Sequence, residues 1–133
     1  MYLNKLKSEQ KELFLDLCIH AANVDDKFSD QEKETIQQYC AEMMIPERFE
    51  AKYSNEEVLE KLKAISYKNE MRIIFIEITA LVLSDNVFDD KEKAFVDKIA
   101  ELAELTEDDK KKIINLMKEL YVVYNNLSGF IAW

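Results

Sequence analysis

One acidic motif occurs twice in this chain, and the repeat restricts the fold more than any other feature. Residues 25–34 read DDKFSDQEKE and residues 85–94 read DNVFDDKEKA, so five of ten aligned positions are identical without a gap. A motif that recurs in register indicates two copies of one supersecondary unit. The spacing of sixty residues leaves room for two such units in a chain of 133 residues.

Glycine and proline are nearly absent, which indicates that both units are helical. The chain has one of each, whereas average usage would give about nine glycines and seven prolines. Long elements that lack both residues are usually helices. We predict an all-α, compact single domain over residues 1–133, a bundle of about six helices. Its two three-helix halves, residues 8–66 and 67–128, are predicted to be related by a pseudo-twofold axis.

Three capping boxes predict where helices begin. A capping box pairs a Ser, Thr or Asp with a glutamate three residues later, and each side chain bonds the backbone N–H of the other. Pairs at this spacing are Ser29–Glu32, Ser54–Glu57 and Asp89–Glu92. Thr106 is the predicted cap of the last helix, whose inner apolar stripe includes Leu116 and Tyr124. Pro46 is predicted to end the second helix, and Gly129 to end the last as a left-handed cap.

The most apolar segment, IIFIEITALVL at residues 73–83, allows two structures. Its β-branched residues favour a strand. The repeat favours a helix, because this segment precedes DNVF as the first predicted helix precedes DDKF. Since the segment is apolar nearly all round, we predict the central helix of the bundle here.

The repeated motif has a structural and a chemical interpretation. As a corner between two helices it needs no ligand, because Phe28 and Phe88 can pack as hydrophobic staples beside the capping boxes. As a cation site it offers hard carboxylate oxygens to Ca²⁺ or Mg²⁺, although a true EF-hand is excluded because its first ligand would fall on Ala21 or Leu81. An acidic patch for protein contacts is a third alternative. The candidate metal ligands are Asp25, Glu32, Asp85, Asp89 and Glu92.

The doubled pattern of acid, turn residue, apolar residue and glutamate resembles the TerB-like domains of tellurite-resistance proteins. It is also similar to the amino-terminal helical part of some membrane-anchored J-domain co-chaperones. The resemblance covers about residues 8–127 and implies an all-α, internally symmetric bundle with a non-enzymatic role in stress response, involving metal ions or partner proteins. By position, the acidic motif of the family corresponds to Asp25 and Glu32 and to Asp85 and Glu92. Neither copy has the glycine that is usual in the family.

Charge and composition argue against several classes of function. The net charge of −9 disfavours binding to nucleic acid and to anionic membranes. No apolar run has the length of a membrane span, and no signal-peptide pattern is present. We expect a cytoplasmic protein with no membrane insertion.

The sequence offers no catalytic constellation, and we expect no enzymatic activity. The only histidine, His20, is predicted to pair with Asp16 on an exposed helix face. Cys18 and Cys40 are the only cysteines, and we expect them to be buried, reduced thiols.

The last four residues, FIAW, contain three large apolar side chains: Phe130, Ile131 and Trp133. These residues either fold back onto the core of the domain or form an interface with a second copy or another protein. Taken together, the resemblance to TerB-like domains and the two acidic corners imply a non-enzymatic binding or interaction domain of the stress-response type, with divalent metal at the two corners. The alternative is an acidic helical module for protein–protein interaction, as a homodimer or with a partner, that has no metal site.

Overall fold

The computed structural model describes residues 1–24, 28–84 and 88–131. A short 3₁₀ helix at Leu3–Lys5 precedes six α-helices: α1 Ser8–Ala22, α2 Asp30–Met43, α3 Asn55–Ile65, α4 Lys68–Val82, α5 Asp90–Leu102 and α6 Glu107–Ile131. No strand occurs within the described ranges, and the predicted all-α class with six helices is confirmed. None of the helices in these ranges is both long and apolar enough to cross a bilayer.

Helix α4 contains the IIFIEI segment and lies at the centre of the bundle, as predicted. It contacts α1, α2, α5 and α6 as well as the 3₁₀ helix. Burial on nearly all sides overrides the strand propensity of its β-branched residues, because each of them gains core contacts in the helix. The buried apolar residues of α4 include Met71, Ile74, Phe75, Ile78, Leu81 and Val82.

The first two helices of each half keep the register of the sequence repeat. Helices α1 and α4 both have 15 residues, and they begin sixty residues apart at Ser8 and Lys68. Helices α2 and α5 begin at Asp30 and Asp90, again sixty residues apart. The superposition of the two halves about a pseudo-twofold axis stays a prediction.

The hydrogen bonds that open α1 and α4 repeat with the same spacing. The Lys7 N–H donates to Gln10 Oε1 at 2.7 Å, and the Tyr67 N–H donates to Glu70 Oε1 at 2.8 Å. In the sequence, only one residue of each pair, the glutamine or the glutamate, indicates a capping box. Lys and Tyr are not typical N-cap residues.

Helices α2 and α5 both end in a left-handed residue that is not glycine. Met44 has φ 59° and Glu104 has φ 57°. The N–H that follows each of them donates to a carbonyl oxygen five residues back, at 3.1 and 3.0 Å, as in a Schellman motif. The prediction that Pro46 ends the second helix is wrong, because the left-handed turn at Met44 has already ended it.

The third helices break the symmetry between the halves. Helix α3 has 11 residues and packs on α1, whereas α6 has 25 residues and packs on α4. Helix α3 follows a long connector at residues 44–54, and α6 follows a short one at residues 103–106. The two halves therefore differ mainly in their third helix.

Asp16 on α1 holds the longer connector in place. Its buried carboxylate accepts hydrogen bonds from the backbone N–H groups of Lys52 and Tyr53, both at 3.1 Å, and forms an ion pair with Arg48. His20 Nε2 lies 2.8 Å from the carbonyl oxygen of Tyr53. The predicted exposed pair of Asp16 and His20 is wrong, because both side chains bind the connector instead.

Replacing Met44 by glycine should stabilise the protein. A side chain at φ 59° bears a steric cost of about 1–2 kcal/mol, which exceeds the entropic cost of glycine, about 0.5–1 kcal/mol. Met44 is 89% exposed, so little packing is lost. We expect urea denaturation to show a free energy of unfolding that is higher by about 0.5–1 kcal/mol. The control Ala41→Gly, at an exposed position inside α2, should lower it by about the same amount. Equal losses in both variants would contradict the strained cap.

Candidate functional site

The candidate metal ligands belong to the two repeated corners. Asp25 and Asp85 lie outside the described residues. Glu32, Asp89 and Glu92 lie at the starts of α2 and α5. Within residues 1–24, 28–84 and 88–131, no group of three or more His, Cys, Asp or Glu side chains is arranged to hold a metal ion. Metal binding at the corners stays a prediction.

Both corners contain the predicted capping boxes. In the first, the Glu32 N–H donates to Ser29 Oγ and the Ser29 N–H donates to Glu32 Oε1, both at 3.0 Å. In the second, the Glu92 N–H donates to Asp89 Oδ1 at 2.8 Å, and the Asp89 N–H donates to Glu92 Oε1 at 3.3 Å. The two glutamates are almost fully buried. Because carboxylates at a helix N-terminus are stabilising, each corner has a structural role that requires no cation.

Helix α6 continues beyond the surface on which it packs. Met117 and Tyr121 pack against α4, but every described residue after Tyr121 is exposed. At about 1.5 Å per residue, residues 122–131 extend the helix by roughly 15 Å. Gly129 lies inside this helix with a negative φ, so the predicted left-handed cap there is wrong.

The exposed part of α6 is mainly apolar. The predictions that Leu116 and Tyr124 face the core are wrong, and so is the interpretation in which Phe130 and Ile131 fold back onto the domain. Tyr124, Phe130 and Ile131 lie beyond Tyr121, because α6, with 25 residues, is longer than the 15-residue α4 that it covers. Leu116 lies within the packed half of α6, but it is about 100° around the helix from the buried Met117. Trp133 lies outside the described residues. The exposed fractions are 48% for Leu116, 57% for Val122, 52% for Val123, 55% for Tyr124, 56% for Leu127, 91% for Phe130 and 63% for Ile131.

Two features of the sequence are signals for this exposed face. Residues 120–131 contain no charged residue, although charged residues make up 34% of the chain. At 100° per residue, the apolar positions of α6 cover about half of the helix circumference. A single contact with a core needs a narrower stripe. The apolar stripe of α6 is wider than its contact with the core requires, and the additional width indicates a second contact surface.

A cleft of about 670 Å³ lies beside this helix, between α2 and α6, with α4 as its floor. The Tyr39 hydroxyl donates to the backbone carbonyl of Glu77 at 2.8 Å, and the Tyr121 hydroxyl donates to that of Ala80. These bonds connect α2 and α6 to α4. The buried Glu77 carboxylate accepts a hydrogen bond from the Tyr2 N–H at 2.8 Å and pairs with the amino-terminal ammonium at 2.9 Å.

Burial disfavours the ionised forms of two tyrosines of this cleft, Tyr39 and Tyr121, and of the two cysteines. Burial, reinforced by the charge of Glu77, raises the pKa of Tyr121 to about 12 and raises the pKa of Tyr39 well above its usual value. Burial also raises the pKa of both thiols, Cys18 and Cys40. Both cysteines are free and buried, as predicted. Because nucleophilic cysteines act as thiolates, burial disfavours the reactive form of both.

No family profile matches the chain, and neither curated proteins nor solved structures show significant similarity to it. The resemblance to TerB-like domains therefore rests on the repeated motif alone and stays a prediction. The all-helical architecture that the resemblance implies is observed, but an architecture does not by itself define a function.

Replacing Tyr121 by phenylalanine should lower the free energy of unfolding by about 1 kcal/mol at neutral pH, because the bond to the Ala80 carbonyl is lost. The folded pKa of about 12 exceeds the value of about 10 in an unfolded chain. The stability that the neutral hydroxyl contributes is therefore complete below pH 10 and is lost as the pH rises from 10 to 12.

Urea denaturation across this pH range measures the effect. The difference between wild type and Tyr121→Phe should shrink above pH 10. The control Tyr124→Phe changes a side chain that is more than half exposed and should differ little from wild type at any pH. A Tyr121→Phe difference that is constant with pH would contradict the assigned role of the hydroxyl.

Replacing Glu32 or Glu92 by alanine should cost about 0.5–2 kcal/mol each, because each substitution removes a bond to the cap N–H. If the corners act only as caps, the cost is the same with and without millimolar Ca²⁺ or Mg²⁺. If a cation binds, it raises the melting temperature of the wild type by mass action, and Asp25→Asn or Asp85→Asn removes that rise. A wild-type melting temperature that neither cation changes would exclude the metal interpretation.

Proposed function

We propose that this protein is a non-enzymatic interaction domain that binds another protein chain through the exposed apolar face of α6. The observation that carries the proposal is the state of residues 122–131, which are helical and exposed throughout the segment. Elsewhere in the described chain, the helices bury their apolar faces in the core.

The apolar area on this face is large for a monomer. Half of the area of a large side chain is about 100 Å², so six such side chains offer on the order of 600 Å². Patches of more than a few hundred Å² on monomeric proteins commonly mark interaction sites. The six side chains are Leu116, Val123, Tyr124, Leu127, Phe130 and Ile131.

The helical state of the segment supports the same conclusion. Short helices are marginal in water, and most helical stability in proteins comes from burial of an apolar face. The second half of α6 has such a face but no described surface of the domain against it. A partner surface laid on this face would supply the missing burial.

The single histidine and the two cysteines of the chain are engaged or buried, which supports a binding role over a catalytic one. His20 Nε2 bonds the Tyr53 carbonyl, and the thiols of Cys18 and Cys40 are buried.

A stress-response role of the TerB-like type and a cytoplasmic location are part of this proposal and rest on the sequence. Divalent cation binding at the corners is a second candidate, supported by the equivalent placement of Glu32 and Glu92 in the two halves.

Site-specific photo-crosslinking in living cells tests the proposal. A benzoylphenylalanine in place of Phe130, which is 91% exposed on the apolar face, should give a discrete protein adduct that mass spectrometry can identify. The same group in place of Asn125, which is exposed and lies about 140° from Phe130 around α6, should give little or none. An equal yield at both positions, or no adduct at Phe130, would contradict an interaction domain of this kind.

A further inference from the structure

We infer that the partner of the α6 face is a second copy of this chain, whose own α6 packs against the first in an isologous helix pair. This inference rests on the proposed function and goes beyond it by naming the partner. In an isologous interface the same patch on both copies forms the contact. The face must therefore be self-complementary in shape, spacing and charge.

The spacing of the exposed residues is self-complementary. We define the α6 seam as Leu116, Leu120, Val123, Leu127 and Phe130, whose separations alternate between four and three residues. This is the heptad spacing of a coiled coil, in which a straight apolar seam packs against a second seam of the same period. Leu120 is half-buried, and the other four residues are 48% to 91% exposed. Because a second copy has the same α6 seam, the spacing of its apolar residues is identical to that of the first.

The charge pattern favours a second copy over a charged partner. Each copy carries a net charge of −9, so repulsion between two copies is smallest where carboxylates are absent. Residues 120–131 form such a surface, since they contain no charged residue. A partner with a strongly basic surface would bind more favourably to the acidic parts of the domain. If it packed on this face, its charged groups would lose water without gaining ion pairs.

The area is sufficient for a reversible dimer. The apolar side chains of this face contribute on the order of 600 Å² per copy, and stable specific interfaces bury about 800 Å² per partner. The polar residues that flank the seam supply part of the difference when two helices pack side by side. Pairing also starts from a preformed helix, because Met117 and Tyr121 already fix the first half of α6 on α4. The cost of helix nucleation is therefore met before association.

Two adjacent valines provide a matched test. Val122 and Val123 are 57% and 52% exposed, but at 100° per residue Val123 lies in the seam and Val122 lies well away from it. Val123→Glu and Val122→Glu make the same change in charge, size and helix propensity. Circular dichroism establishes that both variants fold like the wild type.

Sedimentation velocity from low-micromolar to near-millimolar concentration provides the measurement. The wild type should shift with concentration from a 15.7 kDa monomer to a dimer of twice that mass. Val122→Glu should follow the wild type, and Val123→Glu should stay monomeric throughout. A wild type that is monomeric at every concentration would overturn the inference, as would equal effects of the two substitutions.

The outcome also separates this inference from the proposed function. An adduct at Phe130 with a different protein, combined with a monomeric wild type, would leave the interaction domain in place and remove the second copy as its partner. A monomeric wild type with no adduct at Phe130 would remove both.

Discussion

The burial of α4 is the constraint on which the other parts of this structure depend. A helix that is apolar nearly all round must be covered on every side, and α4 is covered by α1, α2, α5 and α6. Each surrounding helix then needs one apolar stripe for its contact with the core. The Glu77 carboxylate, which is 1% exposed in α4, is satisfied by the Tyr2 N–H and the amino-terminal ammonium, so this buried charge is compensated.

This arrangement explains why the exposed face of α6 is available. The first half of α6 completes the cover of α4, and the second half extends past it. In the other half of the molecule, α3 packs on α1. With 11 residues, α3 is much shorter than α6, which has 25. The repeated elements thus form the body of the bundle, and α6, one of the two helices that depart from the repeat, presents the exposed apolar face.

The sequence was sufficient for the parts of the fold that depend on local signals. The capping boxes at Ser29 and Asp89 identified two helix starts, and the in-register repeat assigned IIFIEI to a helix against its strand propensity. The left-handed ends at Met44 and Glu104 could not be predicted, because nothing local distinguishes a strained methionine or glutamate from a helical one. The role of Asp16 depends on a connector more than thirty residues away, and such a contact leaves no local pattern. The apolar stripe of α6 was recognised, but the share of it that faces the core depends on the length of α4.

Gly129 has a consequence for the reversibility of any contact made by α6. It is the only glycine in the chain, and nothing lies within 4 Å of the position that a Cβ atom would take there, so packing does not require it. Glycine inside a helix costs about 1 kcal/mol relative to alanine, and this cost falls next to the turn that carries Phe130 and Ile131. Helical order in that last turn is therefore thermodynamically coupled to contact. Contact would stabilise the helical state of this turn further, and the free energy spent on fixing it would be subtracted from the affinity. The glycine would thereby weaken any such contact and favour its reversibility.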